Sequence, residues 1–475
     1  MKLTKKEFKS LKSKLSYEAK QVWDKLDNGG RDNTMKLGEE YRKFLSIAKT
    51  ERIAARLIAE MAAKAGLSDI DGPALKKKAK GFYRIFRKKT AVLFVPGSEP
   101  ISKGMNIVAS HLDSPRLDLK GHPLFEDLGL AFFRTHYYGG IKKYQWVARP
   151  FALHGVVVKA NGDIVDINIG DEPGDPVLTV QDLLIHLARE IQMNKKAVEA
   201  VPGEKLTLLV GGLPLIADED AKGRVSMGIL KILNDKYGIV EEDLVSAELS
   251  AVPAGPCLDV GLDKAFLGGY GHDDRICAFA SLKALLGADI RRRPAMAVFY
   301  DKEEIGSKGE TGAQSRFMME TIHDILQRQG ADDSESAVRR VMIQSNAISA
   351  DVTSGIDPNW PEVHEKSNAA RLGYGICLTK FTGSGGKIDA SDASAEYLGH
   401  IRAIFNRREV PWQSAEMGKV DEGGGGTVAK FLAEHGVQVL DAGPPVLSMH
   451  SPFEIIHKGD LYSCYLAYKA FLEEA

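Results

Sequence analysis

From residue 253 onward the chain alternates short apolar runs with longer amphipathic ones, and this rhythm limits what it can fold into. Strand-like runs stand at 295–301 (AMAVFYD), 347–351 (AISAD), 375–381 (GICLTKF), 409–416 (EVPWQSAE) and 437–442 (VQVLDA). Stretches with helical spacing lie around and between them, at 274–288, 314–346, 393–405 and 427–436, with a last helix from Lys458. Short apolar strands bounded by Gly and Pro suit burial on both faces, and strands that alternate with helices suit a mostly parallel sheet. The fold class is α/β.

The first third is helical in texture. Phe8, Leu11 and Leu15 share a stripe, and the run from Met35 to Ala65 continues it with Leu45, Ile53, Leu57 and Met61. Strands follow at 90–96 and 105–110. Between residues 121 and 252 the texture changes to hairpins, with Asn161-Gly162 set between two β-rich runs. A helical piece at 180–193 and strands at 206–212 and 243–252 complete this block. A chain of 475 residues exceeds one ordinary core. The expectation is a discontinuous domain, 1–120 with 253–475, interrupted by an inserted β-rich domain at 121–252.

Lys+Arg 63 against Asp+Glu 64 leaves a net charge of -1, so there is no global field for nucleic acid or an anionic membrane. The four cysteines, Cys257, Cys277, Cys377 and Cys464, have no C-x-x-C spacing and read as buried thiols. The N-terminal stretch is charged throughout, without the apolar core of a secretory signal, and no run approaches the roughly 18 apolar residues of a membrane span. A cytoplasmic location is expected, with neither nucleic acid nor membrane as partner.

Acidic and His residues cluster where the strands end. The run at 105–110 leads into His111-Leu112-Asp113, and the run at 295–300 into Asp301-Lys302-Glu303-Glu304. The run at 347–349 leads to Asp351, and the last strand to His450. Asp273-Asp274 precedes a helix. Groups beyond the carboxyl ends of parallel strands converge on one crevice. Two His and several carboxylates without thiolate form an N/O set suited to Zn²⁺, Mn²⁺ or Co²⁺. One carboxylate can bridge two ions, and another left unligated can serve as general base. Asp113, two residues on from His111, can orient its ring.

ASHLDSPRLDLK, GHDDRICAF, DKEEIGS, ISADVTSGIDP and VLSMHSPFE, in this order, resemble the motif set of the aspartyl aminopeptidase family of dinuclear zinc exopeptidases. The resemblance implies a three-layer α/β/α zinc-exopeptidase-like domain interrupted by a β-rich dimerisation domain. It implies His111 and His450 as terminal ligands on opposite metals, Asp273 as bridge, Glu304 and Asp351 completing the two shells, and Glu303 as general base. Asp274 stands where family members commonly carry Asn. On its residues alone, His186 among Leu183, Leu184 and Leu187 reads as a core histidine. The resemblance instead implies that it reaches a partner subunit's site, as an oxyanion stabiliser or metal-site residue. Lys380 matches a family position facing the substrate side chain, while Asp389 nearby would oppose an acidic one. Homodimers within a larger, dodecameric homo-oligomer are likewise implied.

The resulting expectation is a metal-dependent aminopeptidase that releases N-terminal residues, Asp or Glu among them, from peptides. It would use two divalent ions per subunit, zinc foremost with manganese or cobalt as alternatives. The rivals are a deacetylase or amidase on the same scaffold and a non-catalytic metal-binding assembly protein. The run Gly423 to Gly426 reads as a cleft wall with backbone donors, since Asp421-Glu422 beside it would repel phosphate.

Overall fold

The computed structural model describes residues 3–72, 79–218 and 220–475. The apolar run at 295–301 forms the strand Ala295–Tyr300, buried at every position. Ala295, Ala297 and Phe299 point into one hydrophobic core, and Met296, Val298 and Tyr300 into another. A strand buried on both faces must lie between two layers. Helices Asn28–Ile47, Glu51–Lys64, His272–Gly287, Ala395–Arg407 and Lys458–Glu474 cover the first face. Helices Phe317–Arg328, Glu335–Ile343 and Ala429–Glu434 cover the second. This is a three-layer α/β/α arrangement.

The sheet has nine strands, in the order Ser68–Asp69, Phe82–Phe86, Thr90–Val95, Ala295–Tyr300, Asn106–His111, Asn346–Ser349, Gln438–Gly443, Ile376–Thr379 and Trp412–Ser414. The four central strands, from Ala295–Tyr300 to Gln438–Gly443, are parallel. Ala295 pairs with Asn106 and Tyr300 with His111, so the chain leaves both strands at the same level. That register puts the acidic run after Tyr300 beside His111. Antiparallel neighbours, Thr90–Val95 and Ile376–Thr379, flank the parallel four.

A second sheet of seven strands lies between Arg116 and Pro253, all of its pairings antiparallel. Glu248–Pro253 pairs with both Arg116–Asp127 and Pro150–Val158, which closes six strands into a ring with Ile164–Ile169 on its flank. Closure removes strand edges and leaves an interior filled by Leu117, Phe133, Trp146, Phe151 and Leu208. The Asn161-Gly162 turn joins Pro150–Val158 to Ile164–Ile169, with Gly162 at φ 88°. A third sheet of five strands, among them Phe266–Gly269, Pro445–Leu447 and Glu454–His457, stands apart from the nine.

Three helical expectations take a different form. The periodic run from Met35 to Ala65 breaks at residues 48–50, where the Thr50 hydroxyl accepts the Ile53 N–H at 3.4 Å and caps a new helix. The stretch 180–193 yields only the helix Ile185–Ala188 and a π-type turn Arg189–Met193. Leu183, Leu184, Leu187 and Ile191 are all exposed there, and a helix without packing for its apolar face is marginal. The helix Lys5–Leu15 carries the Phe8, Leu11 and Leu15 stripe, which is exposed rather than part of a core.

Candidate metal centre

Three central parallel strands bring their side chains to one place. His111 is the last residue of Asn106–His111 and is buried. Glu303 and Glu304 sit in a short 3-10 turn after Tyr300, entered through Lys302 at φ 67°. Asp351 follows Asn346–Ser349. Asp273 comes from the start of the helix after Phe266–Gly269, so it enters from the side. His450 arrives from the five-stranded sheet, after Pro445–Leu447, and not from the end of the strand Gln438–Gly443. The chain crosses between sheets there, a step that the sequence rhythm hides.

The two oxygens of Asp273 face different imidazoles. Oδ1 lies 3.2 Å from His111 Nε2, and Oδ2 lies 3.2 Å from His450 Nε2. Glu304 Oε2 is 3.3 Å from His450 Nε2. Asp351 Oδ1 and Glu303 Oε2 are each 3.9 Å from His111 Nε2. His111, Asp273 and Glu304 offer donor atoms close enough together for one ion, as do His111, Asp274 and Asp351. Asp274 also accepts the His111 backbone N–H at 3.3 Å, which engages it with the main chain. Asp301, the first of its acidic run, accepts instead from the Thr311 hydroxyl at 2.6 Å.

The far nitrogen of each imidazole is occupied. His111 Nδ1 lies 3.0 Å from the Asp113 carbonyl and 3.2 Å from Asp113 Oδ1, the carbonyl in the better direction. His450 Nδ1 lies 2.8 Å from the Gly140 carbonyl. A carbonyl only accepts, so both Nδ1 atoms carry the proton and both Nε2 atoms face the carboxylates, as metal-ligating histidines require. His450 sits at φ 63°, a costly conformation for a non-glycine residue, held by its backbone N–H donating to Glu454 Oε1 at 2.7 Å. Glu454 Oε2 accepts the Asp273 N–H at 3.0 Å, so one buried carboxylate ties Asp273 to His450.

The electrostatics call for positive charge. Burial opposes charge on His111, yet Asp113 and Asp273 hold its pKa well above the ordinary value. Burial likewise opposes charge on His450, and Asp273 and Glu304 push it up to about 10. Burial acts to raise Asp273, but hydrogen bonds from His111 and His450 outweigh it and keep this carboxylate ionised. Glu304 and Asp351 are driven well above the carboxylate range, mainly by burial. Glu304 Oε1 and Asp274 Oδ1 are buried with no hydrogen-bond partner. Protons here do what divalent cations would do better, and an N/O donor set with orphaned oxygens fits zinc. Glu303 is raised to about 7, chiefly by burial.

Asp273, Glu303, Glu304, Asp351 and His450 open onto a cavity of about 360 Å³, lined also by Gly140, Met417, Gly424, Gly425, Gly426, Thr427, Lys430 and Met449. The glycine run thus forms a wall of the cleft. At Gly424, with φ 134°, a Cβ would come within 2.0 Å of the Gly383 carbonyl oxygen. Lys380 is exposed at the end of Ile376–Thr379 and does not line this cavity. Among the described lining residues the lysine is Lys430, whose Nζ stands 3.8 Å from Asp389 Oδ1. His186 is exposed and also lies outside the lining. Lys430, Glu454, Tyr138 and Gly140 escaped the sequence reading. Glu454 closes the MHSPFE motif and had a signal, whereas a helical Lys and two barrel residues had none.

A family model described as aminopeptidase I zinc metalloprotease (M18) matches residues 44–472. A probable M18 family aminopeptidase 1 of Clostridium acetobutylicum is 46% identical over 96% of this chain and 98% of its own length. Its counterpart from Thermotoga maritima is 44% identical over 97% of this chain and 100% of its own. A crystal structure of an M18 family aminopeptidase from Thermotoga maritima superposes with a TM-score of 0.92 at 43% identity, covering 97% of this chain and 100% of that one.

Proposed function

The chain belongs to the M18 family of zinc metallo-aminopeptidases, and from that footing we propose how its cleft does the work. Two divalent cations would share Asp273, with His111 and Asp351 holding one and Glu304 and His450 the other. The observation that carries this reading is the division of Asp273, one oxygen 3.2 Å from each imidazole. Bound zinc would supply Lewis-acid polarisation of the scissile carbonyl and a water whose pKa is lowered to near neutrality. Glu303 accepts the proton of the attacking water and passes it to the leaving amine, so that base and acid are one carboxyl in turn. Asp113 and Gly140 keep both Nε2 atoms aimed inward. Lys430, charged and on the cleft wall, offers a partner for a substrate carboxylate, with Asp389 as its counterion when none is present.

The barrel, which spans Arg116 to Pro253 and takes in the inserted segment 121–252, serves as a dimerisation and lid unit. Leu183, Leu184, Ile185, Leu187 and Ile191 form an exposed apolar stretch around His186, too contiguous for a free surface. A second copy covers it, and His186 reaches that copy's substrate as an oxyanion donor. The product is a homo-oligomer acting on peptides. No helix among the described residues is long and apolar enough to cross a membrane, and all four cysteines are free and buried. Unpaired thiols suit the reducing cytoplasm, where the reaction is placed.

Metal analysis of the purified protein, alongside hydrolysis of Asp-, Glu-, Leu- and Lys-terminated aminoacyl chromogenic substrates, tests the proposal. Two bound ions per chain, with turnover lost on chelation and restored by zinc, manganese or cobalt, is the expected result. One ion per chain at full activity would overturn the bridging role of Asp273. Hydrolysis of N-acetylated amino acids in preference to free N-termini would overturn the substrate reading.

A further inference from the structure

Leu130–Tyr138 belongs to the seven-stranded sheet, yet its end lies against the metal-binding side chains. The Tyr138 hydroxyl donates to Asp113 Oδ2 at 2.8 Å. Asp113 is fully buried, and its carboxylate also accepts the Glu303 N–H through Oδ1 and the Glu304 N–H through Oδ2, each at 3.1 Å. Two residues beyond Tyr138, the Gly140 carbonyl accepts from His450 Nδ1 at 2.8 Å. Gly139 joins them at φ 75°, and a Cβ there would stand 3.3 Å from Pro115 and 3.4 Å from Glu304. One corner of the barrel thus reaches His450 directly and His111 through Asp113.

We infer that the corner Tyr138–Gly140 is the positioning device of the metal centre: Tyr138 fixes the Glu303–Glu304 turn through Asp113, and Gly140 fixes the tautomer of His450. This rests on the aminopeptidase reading and deepens it, since the seating of the barrel then controls catalysis within its own subunit. A buried carboxylate needs its lone pairs filled, and its oxygens stay put only while the donors around them do. The phenol remains a donor, because burial and then Asp113 keep its pKa far above the ordinary value. Its ring is clamped under the Arg116 guanidinium, 4.0 Å from the ring centre, and Arg116 is itself paired with buried Glu51 at 3.1 Å. Tyr138 and Asp113 do not line the substrate cavity, so Tyr138 is a positioning residue and its loss belongs in kcat and metal retention, not in KM.

The experiment is Tyr138→Phe in the full chain loaded with zinc, with Tyr137→Phe on the neighbouring exposed ring as control. The expected result is kcat lower by about 10- to 100-fold, KM within about two-fold, and zinc lost to a chelator about ten-fold faster. The control matches wild type. In the background of Asp113→Ala, Tyr138→Phe adds nothing further, because no acceptor is left for the hydroxyl. Wild-type kcat and zinc retention in Tyr138→Phe, or full additivity with Asp113→Ala, would overturn the inference. If the wild-type holoprotein cleaves no aminoacyl substrate, the functional reading fails, and the zinc-release comparison still decides the positioning role.

Discussion

Replacing Glu303 by Gln exchanges one carboxylate oxygen for an amide nitrogen and leaves side-chain length and shape unchanged. The backbone N–H of residue 303 would still donate to Asp113 Oδ1, so the turn that presents the side chain persists. What disappears is the capacity to take a proton. General-base catalysis is worth about 10²- to 10⁴-fold, which is about 2.7–5.4 kcal/mol of barrier. The expected outcome is a fall in kcat of that size with both metal ions retained. Glu304→Gln should behave differently, because Glu304 Oε2 lies 3.3 Å from His450 Nε2, within the shell proposed for the second ion, and its loss releases metal. The pH profile gives a second reading. Glu303 must be ionised to act, burial raises it to about 7 in the metal-free chain, and bound cations shift it back down. Activity should therefore fall as pH drops below neutrality, and this acid limb should be missing from the residual activity of Glu303→Gln. Metal content by atomic absorption, with kcat measured from pH 5 to 9, checks both points. Turnover near wild type in the metal-loaded variant would refute the role of Glu303, and loss of metal with activity would make it a ligand instead.

Lys430→Met should lower kcat/KM for Asp- and Glu-terminated substrates about ten-fold relative to a Leu-terminated one, the worth of one charge-assisted contact. Asp389→Asn should move selectivity the other way by freeing Lys430, and unchanged ratios in both would remove this residue from substrate recognition. His186→Ala should lower kcat about 100-fold with metal content and subunit assembly intact, and wild-type turnover would leave His186 a solvent-facing side chain. His457 is held down to about 4 by burial, whereas the unfolded chain binds the proton near 6.5. The folded state therefore takes up fewer protons, and stability present above pH 6.5 declines as pH falls towards 4. That amounts to about 2 kcal/mol at pH 5. Urea unfolding of wild type and His457→Asn at pH 7 and pH 5 should show the smaller loss in the variant, and equal losses would contradict the shift.

Much of the site was legible because strand ends are marked twice, by the apolar run that stops and by the polar residue that follows. His111, Glu303, Glu304 and Asp351 lie beyond parallel neighbours, where the topology of an α/β sheet gathers groups. His450 was expected to follow the last strand of the main sheet, whereas the chain has by then crossed from the nine-stranded sheet to the five-stranded one. The barrel block was visible as hairpin texture, and its first strand begins at Arg116, ahead of the change in pattern at residue 121. The helix expected across 180–193 shrank to Ile185–Ala188, with Leu183, Leu184, Leu187 and Ile191 left exposed among the described residues.

Local patterning determined what short-range physics can determine: strand and helix spacing, the α/β class, the hairpin at Asn161-Gly162, and a donor set of nitrogen and oxygen suited to zinc. Tertiary structure alone decided which cation faces the cleft. Lys380 and Lys430 are equally charged, and only the packing of the helix Ala429–Glu434 beside the glycine run turns the second one inward. The same holds for the Tyr138–Gly140 corner: Asp113, which accepts from Tyr138, meets Glu303 190 residues along the chain, and Gly140 meets His450 310 residues away. Contacts of that separation leave no periodicity in sequence, because they depend on how whole layers seat against each other.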